Sequence, residues 1–154
     1  MKTDFSVGYS LLAIIMVNSL VYASIMYFFA SLIKTEGAWS GFGIIVGTLV
    51  GFLGGIYFPL GSISEGVAKI VKAFPVIYGT SVFRIIMMND LEGKLFSDLP
   101  SEVRDIFDTE MGLNIKVFEN ILSIGQEVVI LLAVSLIFAL LSLLYLRYSK
   151  KTDR

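Results

Sequence analysis

Three stretches without a charged residue constrain this chain more than any other feature of its sequence. They cover residues 11–33, 41–59 and 128–146. Each is close to the ~20 apolar residues that a helix needs to cross a bilayer. A buried helix of a soluble protein would show a polar face at helical period, and none of these stretches shows one. We therefore expect three transmembrane helices, with the third beginning near residue 124.

The composition supports a membrane protein and excludes several kinds of chemistry. Hydrophobic residues make up 56% of the chain and charged residues 16%, whereas soluble domains average roughly 45–50% and 25%. The chain has neither Cys nor His, so it lacks disulfides, thiolate metal sites and the usual general base. Its net charge of −1 provides no basic field for nucleic acid. The sequence predicts an all-α polytopic protein in a lipid bilayer, with no catalytic or metal-binding residues.

The basic residues predict the orientation of these helices. Residues 147–154 contain four basic residues and one acidic residue, and the positive-inside rule places such a tail in the cytoplasm. Three crossings of the plasma membrane then put residues 34–40 inside and the region of about 60–122 outside. Residues 90–120 contain eight acidic residues and three basic ones, which suits an extracellular segment. Within that segment, Asn114 is a candidate N-cap of the last helix.

Residues 62–89 predict a helical hairpin rather than a fourth span. The first part, 62–74, has the apolar spacing of a short amphipathic helix. Pro75 then interrupts it, because proline has no amide hydrogen and disfavours helix in the preceding residue. The second part is too short to cross a membrane and contains Arg84. A single span through both parts would bury charges at about 2.5–3.5 kcal/mol each. We expect a re-entrant hairpin on the outer side, with a fourth span as the alternative.

The order of motifs in this region resembles type-2 ABC exporter permeases. In that family a helix ends in a Gly-x-x-aromatic-Pro element, and a re-entrant hairpin with a Pro-x-x-Tyr element and a downstream Arg follows. Here the matching run is Gly-Gly-Ile-Tyr-Phe-Pro over 54–59, followed by Pro75, Tyr78 and Arg84. Phe74 stands where the family usually has Asn. The resemblance covers the last three of the six spans of such a permease, so we interpret residues 1–154 as one partial transmembrane domain, the C-terminal half.

The resemblance implies a function in ATP-driven export. It implies a dimeric permease in which the hairpin forms an outer lid over a path between two subunits. The partners would be an ABC ATPase subunit, which binds ATP and Mg, and a second permease subunit or the missing N-terminal half. The chain has no Gly-x-x-x-x-Gly-Lys-Ser/Thr motif of its own. The transported substrate is not indicated.

Two further sets of residues are candidates for a role in assembly. Small residues recur at every fourth position of the second span, a spacing that allows close helix packing in lipid; they are Gly43, Gly47, Gly51 and Gly55. Arg84 and Glu127 are both at or near membrane depth, where ionisable residues are functional candidates. They either form an ion pair that holds the hairpin to the last helix, or extend separately to the membrane surface.

A different class of function is also open from the sequence. A small membrane protein of this kind could act alone as an accessory or immunity factor that binds another membrane complex. The permease interpretation instead requires an ATPase partner.

Overall fold

The computed structural model describes residues 5–57, 59–95, 100–117 and 120–152. Helix α1 spans Phe5–Leu32, α2 Glu36–Leu53, α3 Glu65–Lys72, α4 Pro75–Leu95, α5 Ser101–Glu110 and α6 Ile124–Thr152. A 3-10 turn at Leu60–Ser62 precedes α3, and two short strands, β1 (Lys116–Val117) and β2 (Asn120–Ile121), precede α6. The predicted all-α polytopic class is confirmed. The two-residue antiparallel ribbon of β1 and β2 was not predicted.

Three helices in the described residues are long and apolar enough to cross a membrane. They cover Ser6–Leu32, Glu36–Leu53 and Ile124–Ser149. Large apolar side chains on these helices are exposed, among them Met16 at 72% and Leu136 at 61%. In water such a surface would be unfavourable, whereas lipid chains solvate it.

The second of these helices lies earlier in the chain than residues 41–59, on which the span was predicted. The Thr35 hydroxyl accepts a hydrogen bond from the Ala38 amide at 3.3 Å and caps the helix, with Glu36 in its first turn. Acidic residues are favourable there because the helix dipole is positive at its N-terminus. The helix ends at Leu53, since Gly55 adopts a φ of 63°, a left-handed conformation that terminates helices.

Helices α3 and α4 correspond to the two parts of the predicted hairpin and are bent by 84° relative to each other. By length and composition this pair fits either a re-entrant hairpin or one broken span, and we call the pair the hairpin. The bend falls at Ala73 and Phe74, and Pro75 is the first residue of α4. Proline is tolerated at this position because the first amides of a helix have no partner within it. Helix α4 continues to Leu95, beyond residue 89, at which the hairpin was expected to end.

The last helix begins later than Asn114, so the prediction that Asn114 caps it was wrong. Gly112 has a φ of 68° and turns the chain after α5, and the ribbon intervenes. Ser123 is the cap of α6: its amide donates to the Gln126 side chain at 2.9 Å, and its hydroxyl accepts from the Gln126 amide at 3.4 Å. This reciprocal pair is a capping box.

The core lies where α4 packs against α1 and α6. Val21 and Leu131 are fully buried between α1 and α6, and Ile77 and Val82 of α4 extend the same cluster. The hydroxyls of Ser24 and Ser135 join α1 to α6 at 3.0 Å, and an edge-to-face contact of Phe28 with Phe138 continues this pairing along the helices. Helix α2, by contrast, buries only Gly51 within this chain.

Candidate functional site at the helical hairpin

Arg84 joins three separate segments of the chain through backbone carbonyl groups. One guanidinium nitrogen donates to the carbonyls of Gly54 at 3.0 Å and Gly55 at 2.7 Å. Another donates to the carbonyl of Met111 at 2.9 Å. The cation thus bonds the end of α2 and the turn after α5 from its place on α4. We call this set of four residues the Arg84 junction.

The sequence makes the acceptors of the Arg84 junction available. Carbonyls at a helix C-terminus lack partners within the helix and carry its partial negative charge. Helix α2 ends immediately before Gly54 and Gly55, so their carbonyls are free to accept from Arg84. Met111 is likewise the C-cap residue of α5. A guanidinium suits this place because its donors are fixed in a planar fork and it keeps its charge.

Two glycines let α4 approach its neighbours closely. A Cβ added at Gly54 would lie 3.2 Å from side-chain atoms of both Val76 and Thr80 on α4. A Cβ added at Gly79 would collide with the amide group of Asn18 on α1. Instead, the Asn18 amide donates to the Gly79 carbonyl at 3.5 Å. Both glycines therefore mark places where α4 meets another helix at nearly backbone distance.

Tyr78 closes the bend of the hairpin. Its hydroxyl donates to the carbonyl of Lys72, the last residue of α3, at 2.6 Å, and its side chain is 7% exposed. The end of α3 has carbonyls without helical partners, and this bond satisfies one of them. Pro75 and Tyr78 thus have separate roles at the bend: Pro75 starts α4, and Tyr78 fixes the angle of α4 to α3.

Pro59 has a more local role. Its carbonyl accepts from the Ser62 amide at 3.2 Å and from the Ser62 hydroxyl at 2.7 Å. These bonds form the 3-10 turn between α2 and α3. The motif residues Pro59, Pro75, Tyr78 and Arg84 therefore lie in one continuous region, at the junction of α2, α3 and α4.

Glu127 lies in the first turn of α6 and does not contact Arg84. Its side chain is 0% exposed, and the Ser81 hydroxyl of α4 donates to its Oε1 at 3.2 Å. Since Arg84 donates to three carbonyls instead, the ion pair suggested by the sequence is absent among the contacts of the described residues. A guanidinium on carbonyls at two helix ends is well solvated by the backbone, which removes the need for a carboxylate.

The four small residues of the second span divide into two groups. A Cβ at Gly43 or Gly47 would meet no atom of the described residues within 4 Å, whereas one at Gly51 would collide with the Tyr57 ring. Gly55 lies beyond the helix in the turn described above. Gly51 and Gly55 thus have roles within the chain, and only Gly43 and Gly47 present an open face.

A cleft of about 310 Å³ opens beside the Arg84 junction. It contains Arg84, Glu110 and the aromatic ring of Tyr57 among its lining residues. The Glu110 carboxylate also packs over Gly61 of the 3-10 turn. The cleft therefore joins charged and apolar surface where the hairpin meets α5.

The roles of several residues of the site were not predicted. Gly54, Gly79 and Met111 act through backbone atoms, which leave no distinctive side chain in the sequence. Ser81 and Asn18 are single polar residues in apolar stretches, and their spacing alone does not show that both contact across helices. The capping box of Ser123 and Gln126 had a sequence signal, since Ser-x-x-Gln precedes an apolar run.

Comparison with known proteins identifies the family. Residues 2–144 match the model of a family described as ABC-2 family transporter protein. No curated protein and no solved structure gave a significant match. The matched region includes the first two candidate membrane-spanning helices, most of the third, the hairpin and the Arg84 junction. The chain therefore belongs to the ABC-2 transporter family and is a multi-pass permease component of an ABC transporter.

Proposed function

We propose that this permease component works in an ATP-driven exporter whose ATP and Mg are bound by a separate ABC ATPase subunit. The sequence supports this division of labour, since the chain has no P-loop motif. ATP-driven movement reaches this chain through the cytoplasmic ends of its helices and is carried along them to the hairpin. The chain would supply helices of the translocation path rather than chemistry.

The hairpin forms the outer lid of that path in this proposal. The observation that carries it is the Arg84 junction, in which one side chain bonds the end of α2 at Gly54 and Gly55 and the turn at Met111. A displacement of α2 along its axis would move the Gly54 and Gly55 carbonyls relative to Arg84. The hairpin would then either follow α2 or lose these hydrogen bonds. Either result changes the lid when the helix moves.

The path itself requires further helices. Helix α2 leaves Gly43 and Gly47 facing open space, and apolar neighbours such as Ile44 and Leu49 are exposed. Small residues at this spacing favour close approach of another helix. We infer that this face packs against a second permease subunit, or against an N-terminal half that supplies the other three spans of a six-span unit.

The orientation follows from the charge distribution. The basic C-terminal tail lies in the cytoplasm in this proposal, according to the positive-inside rule. Residues 34–40 are then also cytoplasmic, and the hairpin and the segment of α5 lie outside the plasma membrane. The ATPase would therefore act on the opposite side of the membrane from the lid.

The deciding experiment tests whether ATP binding changes the accessibility of the lid. Ser64 is exposed at the start of α3, and because the chain has no cysteine, Ser64→Cys gives a single label site. The chain is purified from its native membranes with its associated ATPase after mild cross-linking, and reconstituted in liposomes. We expect the labelling rate of this cysteine to differ between nucleotide-free and ATP-bound complexes.

A matched pair of variants tests the role of the junction in this coupling. Arg84→Gln should abolish the ATP-dependent difference, whereas Arg147→Gln, an exposed arginine of α6, should retain it. Equal labelling with and without ATP in the unsubstituted complex would overturn the lid proposal. Recovery of the chain without any P-loop ATPase would overturn the proposed exporter.

A further inference from the structure

Glu127 is fully buried and only half satisfied by hydrogen bonds. Its exposed fraction is 0%. The Ser81 hydroxyl lies 3.2 Å from its Oε1, and its Oε2 has no hydrogen-bond partner among the described residues. An ionised carboxylate normally accepts several hydrogen bonds or pairs with a cation when it is buried. The surroundings of Glu127 therefore need explanation.

The groups around Glu127 contain more acceptors than donors. A serine hydroxyl has a single proton, and that of Ser81 also lies 3.4 Å from the carbonyl of Leu113. Oε1 of the carboxylate and this carbonyl thus share one donor, and Oε2 has none among the described residues. On the other side of α4, the buried Oδ1 of Asn18 also has no partner in the part of the chain that the structure describes. On both sides of α4, the described residues thus provide fewer hydrogen-bond donors than acceptors at these buried oxygens.

The charged and titratable groups of the neighbouring elements do not compensate the carboxylate. From α4, Tyr78 is close enough to interact electrostatically with Glu127, but its hydroxyl donates to Lys72. The guanidinium of Arg84, also on α4, is used by the three carbonyls of the Arg84 junction. On α6 itself, the Gln126 side chain accepts from Ser123.

Among the described residues, the remaining neighbours supply no cation either. On α1, the neutral Asn18 side chain donates to the Gly79 carbonyl, and the chain before β1 presents the Leu113 carbonyl to Ser81. Lys116 of β1 is exposed. Within the described residues, then, Glu127 forms no ion pair.

We propose that Glu127 is a proton-binding site that is occupied when the hairpin is packed against α6. The bound proton makes the side chain a neutral carboxylic acid, which is the state that an unpaired buried carboxyl adopts instead of remaining charged. When α4 separates from α6, Glu127 reaches water and gives up the proton. Opening of the hairpin and release of one proton are therefore coupled. The proton site stands on the burial of Glu127, while its use in transport rests on the proposed lid.

Infrared spectroscopy of the purified chain in liposomes tests the first half of this proposal. A protonated carboxyl group has a carbonyl stretch that is separate from that of a carboxylate and shifts on exchange into heavy water. At neutral pH we expect this band in the unsubstituted protein, its loss in Glu127→Gln, and its retention in Glu36→Gln, which changes an exposed glutamate. The absence of the band, or its persistence in Glu127→Gln, would overturn the proposal.

Cysteine labelling tests the coupling. Val82 is 1% exposed in the core between α4 and its neighbours, and the adjacent Phe83 is 38% exposed. The rates of a small thiol reagent with Val82→Cys and with Phe83→Cys are compared between about pH 6 and about pH 8, the range of charge changes near neutrality. The ratio of the Val82→Cys rate to the Phe83→Cys rate removes the ordinary effect of pH on thiol reactivity.

The expected ratio rises with pH by up to about tenfold per unit, as the release of one proton requires. In a Glu127→Gln background it should not change with pH. A constant ratio in the unsubstituted background, or the same rise in the Glu127→Gln background, contradicts the coupling. A ratio set by sodium concentration instead of pH would assign the site to a metal cation and overturn the proton site. None of these measurements uses ATP, so their outcome is independent of the proposed exporter.

Discussion

The guanidinium of Arg84 lies 2.7 Å from the carbonyl oxygen of Gly55, a residue that ends helix α2 by adopting a left-handed conformation. This contact connects the membrane-spanning part of the chain to the hairpin through one side chain. Its acceptor exists because the helix stops there. The motif Gly-x-x-aromatic-Pro and the downstream Arg are therefore parts of one structural unit, although Gly55 and Arg84 are 29 positions apart in the sequence.

The first prediction concerns the stability that the Arg84 junction supplies. Arg84→Gln removes a charged donor from three carbonyls, and hydrogen bonds to charged groups contribute about 1.5–3 kcal/mol. We expect the free energy of unfolding to fall by about 2 kcal/mol, measured by thermal unfolding in detergent micelles. Arg147→Gln should have little effect. Equal stability of the two variants would contradict the role assigned to the junction.

The bend of the hairpin can be tested at Tyr78. Tyr78→Phe keeps the ring and removes only the hydroxyl that donates to Lys72 at 2.6 Å. A typical hydrogen bond contributes about 1 kcal/mol, so we expect a loss of that size together with faster hydrogen exchange of the first amides of α4. Tyr9→Phe, at an exposed tyrosine of α1, is the control. No difference between the two would show that the bend does not depend on this bond.

The close approach of α4 to the end of α2 predicts that alanine substitutions at Gly54 and Gly47 have different effects on stability. Gly54→Ala places a methyl group 3.2 Å from Val76 and Thr80, tighter than ordinary contact, so α4 must shift. Overpacking costs about 1–3 kcal/mol. The added methyl group of Gly47→Ala meets none of the described atoms within 4 Å, so this change should be neutral or slightly stabilising in the isolated chain. Thermal unfolding in detergent micelles measures both variants. A larger loss of stability for Gly47→Ala than for Gly54→Ala would refute this assignment.

Assembly through α2 makes a separate prediction. Gly47→Leu should leave the folding of the isolated chain intact, because the position is open, but should block close approach of another helix. We expect a lower fraction of oligomer by size-exclusion chromatography with light scattering. Ile44→Leu, a volume-conserving change at an exposed position of α2, serves as the control. Unchanged assembly of Gly47→Leu would remove this face from the interface.

The proposed orientation is tested with two single-cysteine variants. Ser40 and Ser64 are both exposed, so the membrane alone should decide which is reached. A membrane-impermeant thiol reagent added outside intact cells should label Ser64→Cys and not Ser40→Cys. Permeabilised cells provide the control, because both positions should then react. The reverse pattern would place the hairpin and the proposed lid on the cytoplasmic side.

Much of the architecture could be predicted from the sequence. Lipid requires that backbone groups bond within the spanning segment, so long uncharged stretches have helix as almost their only solution. This determined the three candidate spans and the all-α class. The break at Pro75 was predictable for a similar reason, because proline both removes a donor and restricts the residue before it. The family was also predictable, from the order of motifs.

The sequence could not show the partner of each polar group. The sequence predicts that Arg84 and Glu127 lie at or near membrane depth, and their opposite charges suggest a pair. In the structure Arg84 instead bonds carbonyls, which every residue possesses and no sequence pattern marks. Glu127 bonds Ser81, one of several scattered serines. The start of α6 was misplaced at Asn114 because single cap residues are common, and the ribbon of β1 and β2 is too short to leave a periodic signal.

By itself, the sequence determined where the chain must be helical and where it must bend, since these are local consequences of hydrophobicity, glycine and proline. Only the tertiary structure decided that α4 packs against both α1 and α6, that Gly54 and Gly79 permit close approach to α4, and that Glu127 is left without a cation among the described residues. These features depend on which residues meet across distant segments. Burial then sets their energetics, because a polar group inside the protein must find its partner among the atoms that the fold brings to it.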